Sequence, residues 1–337
     1  MSVLAIESSC DETAVAIYGN NRTSKKTELL ASLISSQIAL HKDLGGVVPE
    51  LASRNHTLNL KPLVEEALAT AKISPHELSA IAATGGPGLA SSLIVGHSFA
   101  KGIALATKKP FLSINHMEGH LLSPFLGEDH IPPHLALIVS GGHTMLVKVA
   151  GIGDYQVLGQ TIDDAAGEAF DKVAKMLDLP YPGGPEIERL ALEGNREAFD
   201  LPRSLLNQDH LDFSFSGLKT AVLYTLQKLS SPREHLPDLC ASFQAAVFDV
   251  LTAKTLRAAK AHGLNLITLS GGVSCNATLR NQLDNACHDQ GLTFLASKPS
   301  LSTDNAAMIA FAAFHKHLAR QTSSLASDID PNLRLQS

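Results

Sequence analysis

Apolar and polar residues alternate along this chain in short blocks that predict strands and helices in turn. Val3-Leu-Ala-Ile-Glu-Ser-Ser9 opens as an apolar strand, Cys10 to Glu12 make a polar turn, and Thr13-Ala-Val-Ala-Ile-Tyr18 returns beside it. Gly19-Asn20-Asn21 ends the hairpin, because Gly and Asn tolerate the positive φ of a tight turn. Leu29 to Ser36 predicts a third strand. Leu51 to Ala71 carries Leu58, Leu63, Val64 and Leu68 on one side, which predicts a helix. Ala80 to Thr84 reads as a short buried strand entering Gly85-Gly-Pro-Gly88, and Ser91 to Thr107 as a helix rich in small residues.

The pattern then starts again. Leu135-Ala-Leu-Ile-Val139 is a strand ending in Ser140-Gly-Gly142, with Thr144 to Val149 as its partner. Leu264 to Leu269 is a further strand, ending in Ser270-Gly-Gly272. Apolar strand followed by Ser-Gly-Gly thus occurs twice, in matching contexts. We read two related α/β lobes, each opened by a β-hairpin whose turn faces a shared ligand cleft. Pro132-Pro133 marks the boundary, with lobes at 1–133 and 134–303, a helix at 304–320 and a tail at 321–337. From Thr322 the tail is rich in Ser and Asp and is expected to be poorly ordered.

A chain of 337 residues is long for one core and agrees with two lobes. Its 45% hydrophobic content suits a globular enzyme, and with no Trp the core must rest on Leu, Ile, Val and Ala. The net charge of −6 argues against stand-alone nucleic-acid binding, which needs Lys and Arg on phosphates. Cys10, Cys240, Cys275 and Cys287 have neither zinc-knuckle nor disulfide spacing, so we expect reduced thiols and a cytoplasmic protein. Glu7, Asp11 and Glu12 interrupt the first apolar stretch and disqualify a signal peptide. No apolar run is read as approaching the roughly 20 residues of a membrane helix.

The stretch richest in chemistry is His116-Met-Glu-Gly-His120. On a helix the two imidazoles project from one face, a spacing that suits two ligands of one metal ion. Zinc peptidases instead use His-Glu-x-x-His, with the Glu as general base. Here Met117 holds that slot and Glu118 is rotated off the face. The motif alone leaves open a metal pair and an ordinary helix with two surface histidines. Asp304, in Ser302-Thr-Asp-Asn-Ala-Ala307 at the head of a helix from Asn305 to Arg320, either caps that helix or adds a third, oxygen ligand. Such a His₂Asp set resembles the facial triad associated with Fe(II), with zinc as the other candidate.

Glycine turns supply a second signal. Ser8-Ser9, Gly85 to Gly88, Ser140-Gly141-Gly142 and Ser270-Gly271-Gly272 all follow strands, where backbone amides can cradle an anion. None matches a P-loop or a dinucleotide fingerprint. Asp163-Asp-Ala-Ala-Gly-Glu-Ala-Phe-Asp-Lys172 gathers Asp164, Glu168, Asp171 and Lys172; Asp171 can accept from a ribose or a nucleophile, or simply favour a helix dipole. Tyr181-Pro-Gly-Gly-Pro185 reads as a rigid turn, and Asn276 as either a polar ligand contact or an N-cap.

Taken together, Ile6-Glu-Ser-Ser-Cys-Asp-Glu-Thr13, His116 to His120, Val139-Ser-Gly-Gly-His-Thr144, Asp163 to Lys172, Tyr181 to Pro185, Phe213-Ser-Phe-Ser-Gly-Leu-Lys219, Ser270-Gly-Gly-Val-Ser-Cys-Asn276 and Thr303 to Met308 resemble the TsaD family. These are the universal tRNA threonylcarbamoyladenosine synthases, once described as O-sialoglycoprotein endopeptidases. The resemblance runs from about Val3 to Ala319. It implies a two-lobed, actin-like, sugar-kinase-type (ribonuclease H-like) fold. It implies transfer of threonylcarbamoyl from threonylcarbamoyl-AMP to N6 of adenosine 37 in tRNAs reading A-starting codons, with AMP leaving. A metal, usually taken as Fe(2+), would sit on His116, His120 and Asp304. Substrate contacts map onto Val139, Ser140, Gly141, Gly142, His143, Asp171, Gly184, Glu188 and Asn276, although many members carry Asp where this chain has Glu188. The implied partners are tRNA, a TsaB-like pairing protein and a TsaE-like P-loop ATPase, with no membrane.

An acyl adenylate is already activated, so no P-loop is needed. A Lewis acid and the amides at Ser140 to Gly142 can stabilise developing charge and the leaving phosphate. Asp11 or Glu12 is expected to position the nucleophile or leaving group. The alternatives are a metal-dependent glycoprotease, a small-molecule kinase of the same fold, and a catalytically silent nucleotide-binding scaffold.

Overall fold

The computed structural model describes residues 1–21, 23–44 and 46–335. The chain divides into two compact units, one of Met1–Ile131 joined by the stretch from Asp304 onward, the other of Pro132–Thr303.

In the first unit β1 (Ser2–Glu7), β2 (Glu12–Asn20), β3 (Thr27–Ser36), β4 (Ala80–Gly86) and β5 (Phe111–Asn115) form one sheet in the order β3-β2-β1-β4-β5. β1 to β3 are antiparallel, and β4 and β5 run parallel to β1. β1 is buried along its whole length, which is why it reads as a continuous apolar run rather than an alternating one. Leu4 and Ile6 pack with Val15, Ile17, Leu60, Val64, Ala67 and Ala100, tying the sheet to the helices Pro49–Ala71 and Ala90–Thr107. Tyr18, next to Ile17 and so on the other face, meets Phe311 and Phe314 edge-on at 5.3 and 5.2 Å. The helix Ala306–Leu318 covers that face.

The second unit repeats this plan. β6 (His134–Val139), β7 (Thr144–Gly151), β8 (Asp154–Gln160), β9 (Leu266–Ser270) and β10 (Thr293–Ala296) take the order β10-β9-β6-β7-β8. β6 occupies the place of β1, with antiparallel neighbours on one side and parallel ones on the other. The expected repeat is therefore present at the level of sheet topology. Its core gathers Leu135, Leu137, Phe170, Phe243, Phe248 and Ile267 around the helix Leu236–His262. This helix corrects one expectation: Pro232–His262 does reach membrane-spanning length and hydropathy, but 83% of its apolar window is buried inside the unit.

Two further expectations are corrected. Gly183-Gly-Pro185, expected as part of a rigid turn, are the first residues of the helix Gly183–Ala191, where a proline removes no intrahelical bond. The segment after Thr322, expected to be loose, lies along the first unit through backbone hydrogen bonds, among them Ser323 N to Phe111 O at 2.8 Å and Asp330 N to Gly85 O at 2.8 Å.

Candidate functional site

The His116–Leu122 helix starts where β5 ends. Asn115 caps it, its side-chain oxygen accepting from Met117 N at 2.8 Å. Gly119 lets it lie directly on the helix Ala306–Leu318, for a Cβ there would sit 2.9 Å from Met308 Cγ and Ile309 Cδ1. This packing delivers Asp304, one residue ahead of the cap. Asn305, not Asp304, caps the late helix by accepting from Met308 N at 3.0 Å, so the carboxylate of Asp304 is left for another use. Asp304 Oδ1 lies 3.3 Å from His116 Nε2 and 3.2 Å from His120 Nε2. The ligand atoms of the three residues all fall within 4.8 Å of one another.

Around them stands a shell that sequence reasoning passed over. Glu7, at the end of β1, is fully buried, with Oε2 3.0 Å from His116 Nδ1 and accepting from Thr84 Oγ1 at 2.5 Å. Its other oxygen accepts from Ser9 N at 2.5 Å, and Ser9 Oγ is 3.3 Å from His116 Nδ1. The available signal was a carboxylate inside an apolar strand.

The electrostatics favour positive charge at the cluster. Burial drives His116 down, but Asp304 and Glu7 outweigh it and lift the imidazole to about 10. Burial holds His120 low, in the neutral form that ligates metals. Burial pushes Asp304 up, yet the two histidines hold it well below the usual carboxylate range. Two carboxylates, Glu7 fully buried and Asp304 partly so, thus gather one positive charge, a proton on His116 or a metal ion in its place. Two imidazole Nε2 atoms and a carboxylate oxygen, with a second carboxylate behind one ring, fit a divalent transition metal.

Glu118 is buried and its Oε2 lies 2.7 Å from Lys316 Nζ, so the motif's own acid is committed to an ion pair. Asp11 and Glu12 fall at the turn into β2. Asp11 is buried; Glu12 is half-buried and accepts from Ser36 Oγ at 3.0 Å. Burial, with the Asp11 carboxylate beside it, pushes Glu12 up to about 9. The Gly85 to Gly88 turn, expected as an anion cradle, is already partnered: Gly88 N donates to Pro331 O at 3.2 Å.

In the second unit Ser140 to His143 close the β6–β7 hairpin, with Ser140 N donating to His143 O at 2.8 Å and His143 N to Ser140 Oγ at 3.1 Å. Gly271 (φ +90°) lets the end of β9 approach Val139, whose carbonyl oxygen would lie 2.4 Å from any Cβ placed there. Nothing comes within 4 Å of the Cβ positions of Gly141, Gly142, Gly184 and Gly272, so these backbone faces are open. Asp171 Oδ1 accepts from Gly183 N at 2.8 Å, and Glu188 Oε1 from Ala277 N at 2.7 Å, each at the start of a helix. Asn276 caps the helix Ala277–Asp289 through Leu279 N at 3.1 Å and donates to Gln244 Oε1 at 2.8 Å. Asp163 accepts from Phe215 N, Ser214 Oγ and Ser216 Oγ, while Asp164 pairs with Lys172 and Lys219; these acids anchor the Phe213 to Lys219 motif.

A family model described as TsaD: tRNA N6-adenosine threonylcarbamoyltransferase matches residues 28–311. A tRNA N6-adenosine threonylcarbamoyltransferase of Anaeromyxobacter sp. (strain Fw109-5) is 49% identical over 338 residues, 99% of this chain and 100% of that protein. One of Geobacter sulfurreducens is 50% identical over 311 residues, 92% of this chain and 90% of its own length. Among solved structures, T. kodakarensis HypF resembles the chain with a TM-score of 0.66 at 14% identity, over 95% of this chain and 48% of the HypF chain. Component A of the Acidaminococcus fermentans (R)-2-hydroxyglutaryl-CoA dehydratase gives 0.54 at 15% identity, over 93% and 99%. These two similarities show a shared fold.

Proposed function

The chain belongs to the TsaD family, the tRNA N6-adenosine threonylcarbamoyltransferases, and on that premise we propose how its residues divide the transfer. It is a transferase acting on tRNA, and it forms N6-threonylcarbamoyladenosine. The observation that carries this is near-full-length identity of 49% to a relative of that name. We propose threonylcarbamoyl-AMP as donor and adenosine 37 of tRNAs reading A-starting codons as acceptor. The bond from N6 to the carbamoyl carbon forms, the bond from that carbon to the phosphate oxygen breaks, N6 gives up one proton, and AMP leaves.

His116, His120 and Asp304 are the proposed holders of a divalent cation, Fe(2+) first and Zn(2+) second. When bound, it supplies Lewis-acid polarisation of a donor oxygen. Glu7 fixes the His116 ring by accepting a hydrogen bond from Nδ1–H, which leaves Nε2 facing the cluster. Asp11 and Glu12 position N6 or the leaving phosphate; a protonated Glu12 can donate to a phosphate oxygen. In the second unit the amides of Val139, Ser140, Gly141, Gly142 and His143, with the open face of Gly184, are the proposed contacts for the adenylate. Asp171, Glu188 and Asn276 hold the neighbouring helix starts in place for it.

A net charge of −6 is low in phosphate-binding capacity for an enzyme of tRNA. This supports assembly with a TsaB-like partner and a TsaE-like P-loop ATPase, acting in the cytoplasm where tRNA is used. The glycoprotease alternative lacks a base, because Glu118 is tied to Lys316. The test is in vitro transfer: donor, tRNA, this chain and its partners, with digested nucleosides read by mass spectrometry. Absence of modified adenosine from a mixture that a known relative renders active would refute the reading.

A further inference from the structure

We propose that the C-terminal segment from Ser323 to Leu335 is a clasp on the outer shell of the His116, His120 and Asp304 cluster, and that it sets how tightly the cluster holds a divalent cation. The inference rests on the metal reading above. The segment begins at the free edge of β5, where Ser323 N donates to Phe111 O at 2.8 Å and Ser323 Oγ accepts from Ser113 N at 2.9 Å. Lys101 Nζ donates to Ser327 O. The chain then crosses the end of β4: Asp330 N donates to Gly85 O at 2.8 Å, and Pro331 O accepts from Gly88 N at 3.2 Å. Only glycine fits beneath it, since a Cβ on Gly86 (φ +149°) would lie 1.8 Å from Asp330 O.

Two routes lead inward from these contacts. Arg334 O accepts from Asn115 Nδ2 at 3.1 Å, and the same side chain caps the metal helix through Met117 N at 2.8 Å. One amide group therefore joins the segment to the first turn of the helix that carries both histidines. On the second route, Pro331 holds Gly88, and the next residue, Leu89, donates its N–H to Ser9 O at 2.7 Å. Ser9 in turn touches both Glu7 Oε1 and His116 Nδ1. Partners bonded directly to a ligand ring, as Ser9 and Glu7 are to His116, orient it and change metal affinity by about 10- to 100-fold when lost; the segment acts one step further out, through Ser9 and Asn115, and its effect belongs at the low end of that range.

The test uses Co(2+) as probe on the full chain stripped of metal, titrated by calorimetry and by visible absorption, with thermal denaturation alongside. Asn115→Asp keeps an oxygen for Met117 N but cannot donate to Arg334 O. It is expected to raise the Co(2+) dissociation constant about tenfold and alter the ligand-field bands, with the melting temperature little moved. A chain ending at Thr322 is expected to weaken binding at least as much; if it fails to fold, Asn115→Asp decides alone. Unchanged affinity and spectrum in Asn115→Asp overturn the clasp while leaving the metal reading intact. A wild-type chain that takes up no Co(2+) overturns the metal reading, and the clasp with it.

Discussion

Glu7 Oε2 lies 3.0 Å from His116 Nδ1, and both side chains are shut off from solvent. Burial raises Glu7, but His116 and the Ser9 contact outweigh it and hold the carboxyl below its ordinary value, so it is charged. Glu7→Gln keeps the shape and loses that charge. We expect cation binding about tenfold weaker, near 1.4 kcal/mol, with transfer restored by excess metal. Asp304→Ala, which removes a ligand, should show no restoration. Equilibrium dialysis with metal analysis checks both; wild-type affinity in Glu7→Gln removes the carboxylate from the site.

Glu118 separates a peptidase from a transferase. Paired with Lys316 at 2.7 Å, it acts on stability. Glu118→Ala takes the partner from Lys316, whose partly exposed ammonium can turn to water, and should cost about 1 to 2 kcal/mol. Glu118→Gln should melt earlier than wild type yet keep its transfer rate within about twofold at saturating metal. A rate loss of a hundredfold or more in a folded, metal-loaded Glu118→Gln would give the residue a chemical role and reopen the protease alternative.

The parts of the fold legible in the sequence are those buried on both faces. β1 and β6 are entirely buried and read as plain apolar runs, and the hairpins that follow were readable from their turns. β8 has only Tyr155 and Gly159 buried and carries no apolar run, and β10, though Thr-Phe-Leu-Ala is mostly apolar, is four residues long, too short for a period to register. The Leu236–His262 helix is buried on most sides and lacks the one-sided period that marks a surface helix. The histidine pair was legible because its spacing is local. Glu7 stands 109 residues from the ring it holds, a relation no local pattern encodes. The Ser- and Asp-rich tail misled for another reason: most of its contacts run through backbone atoms, on which composition is silent.

Asn276 should be felt first as a cap. Its side chain serves Leu279 N and Gln244 Oε1 together. Asn276→Ala is expected to cost about 1 to 2 kcal/mol of stability without any nucleotide present. Asn276→Asp keeps the acceptor for Leu279 N and should lose less. Urea denaturation of both variants checks this ordering. Equal stability of the alanine variant and wild type would leave direct ligand contact as the residue's role.

His97 sets an acid limit on the fold. It is 2% exposed, its Nε2 is 3.2 Å from Ser113 Oγ, and its ring packs edge-on to Phe111. Burial, reinforced by Lys101 and opposed by Asp328, pushes its pKa from 6.5 down to about 4. Below about 6.5 the unfolded chain binds a proton on this ring that the folded protein refuses until about 4. Unfolding therefore takes up a proton in that window, and stability falls as pH drops through it. Above 6.5 both states are neutral at this ring and the dependence vanishes. The full window is worth about 3 kcal/mol at most. His56, His134 and His315 are also shifted down, each chiefly by burial, and add to the same slope. His97→Gln should flatten the fall in urea midpoint between pH 6.5 and 4.5 without abolishing it. An unaltered slope in that variant would mean that His97 is protonated as readily in the fold as in the open chain.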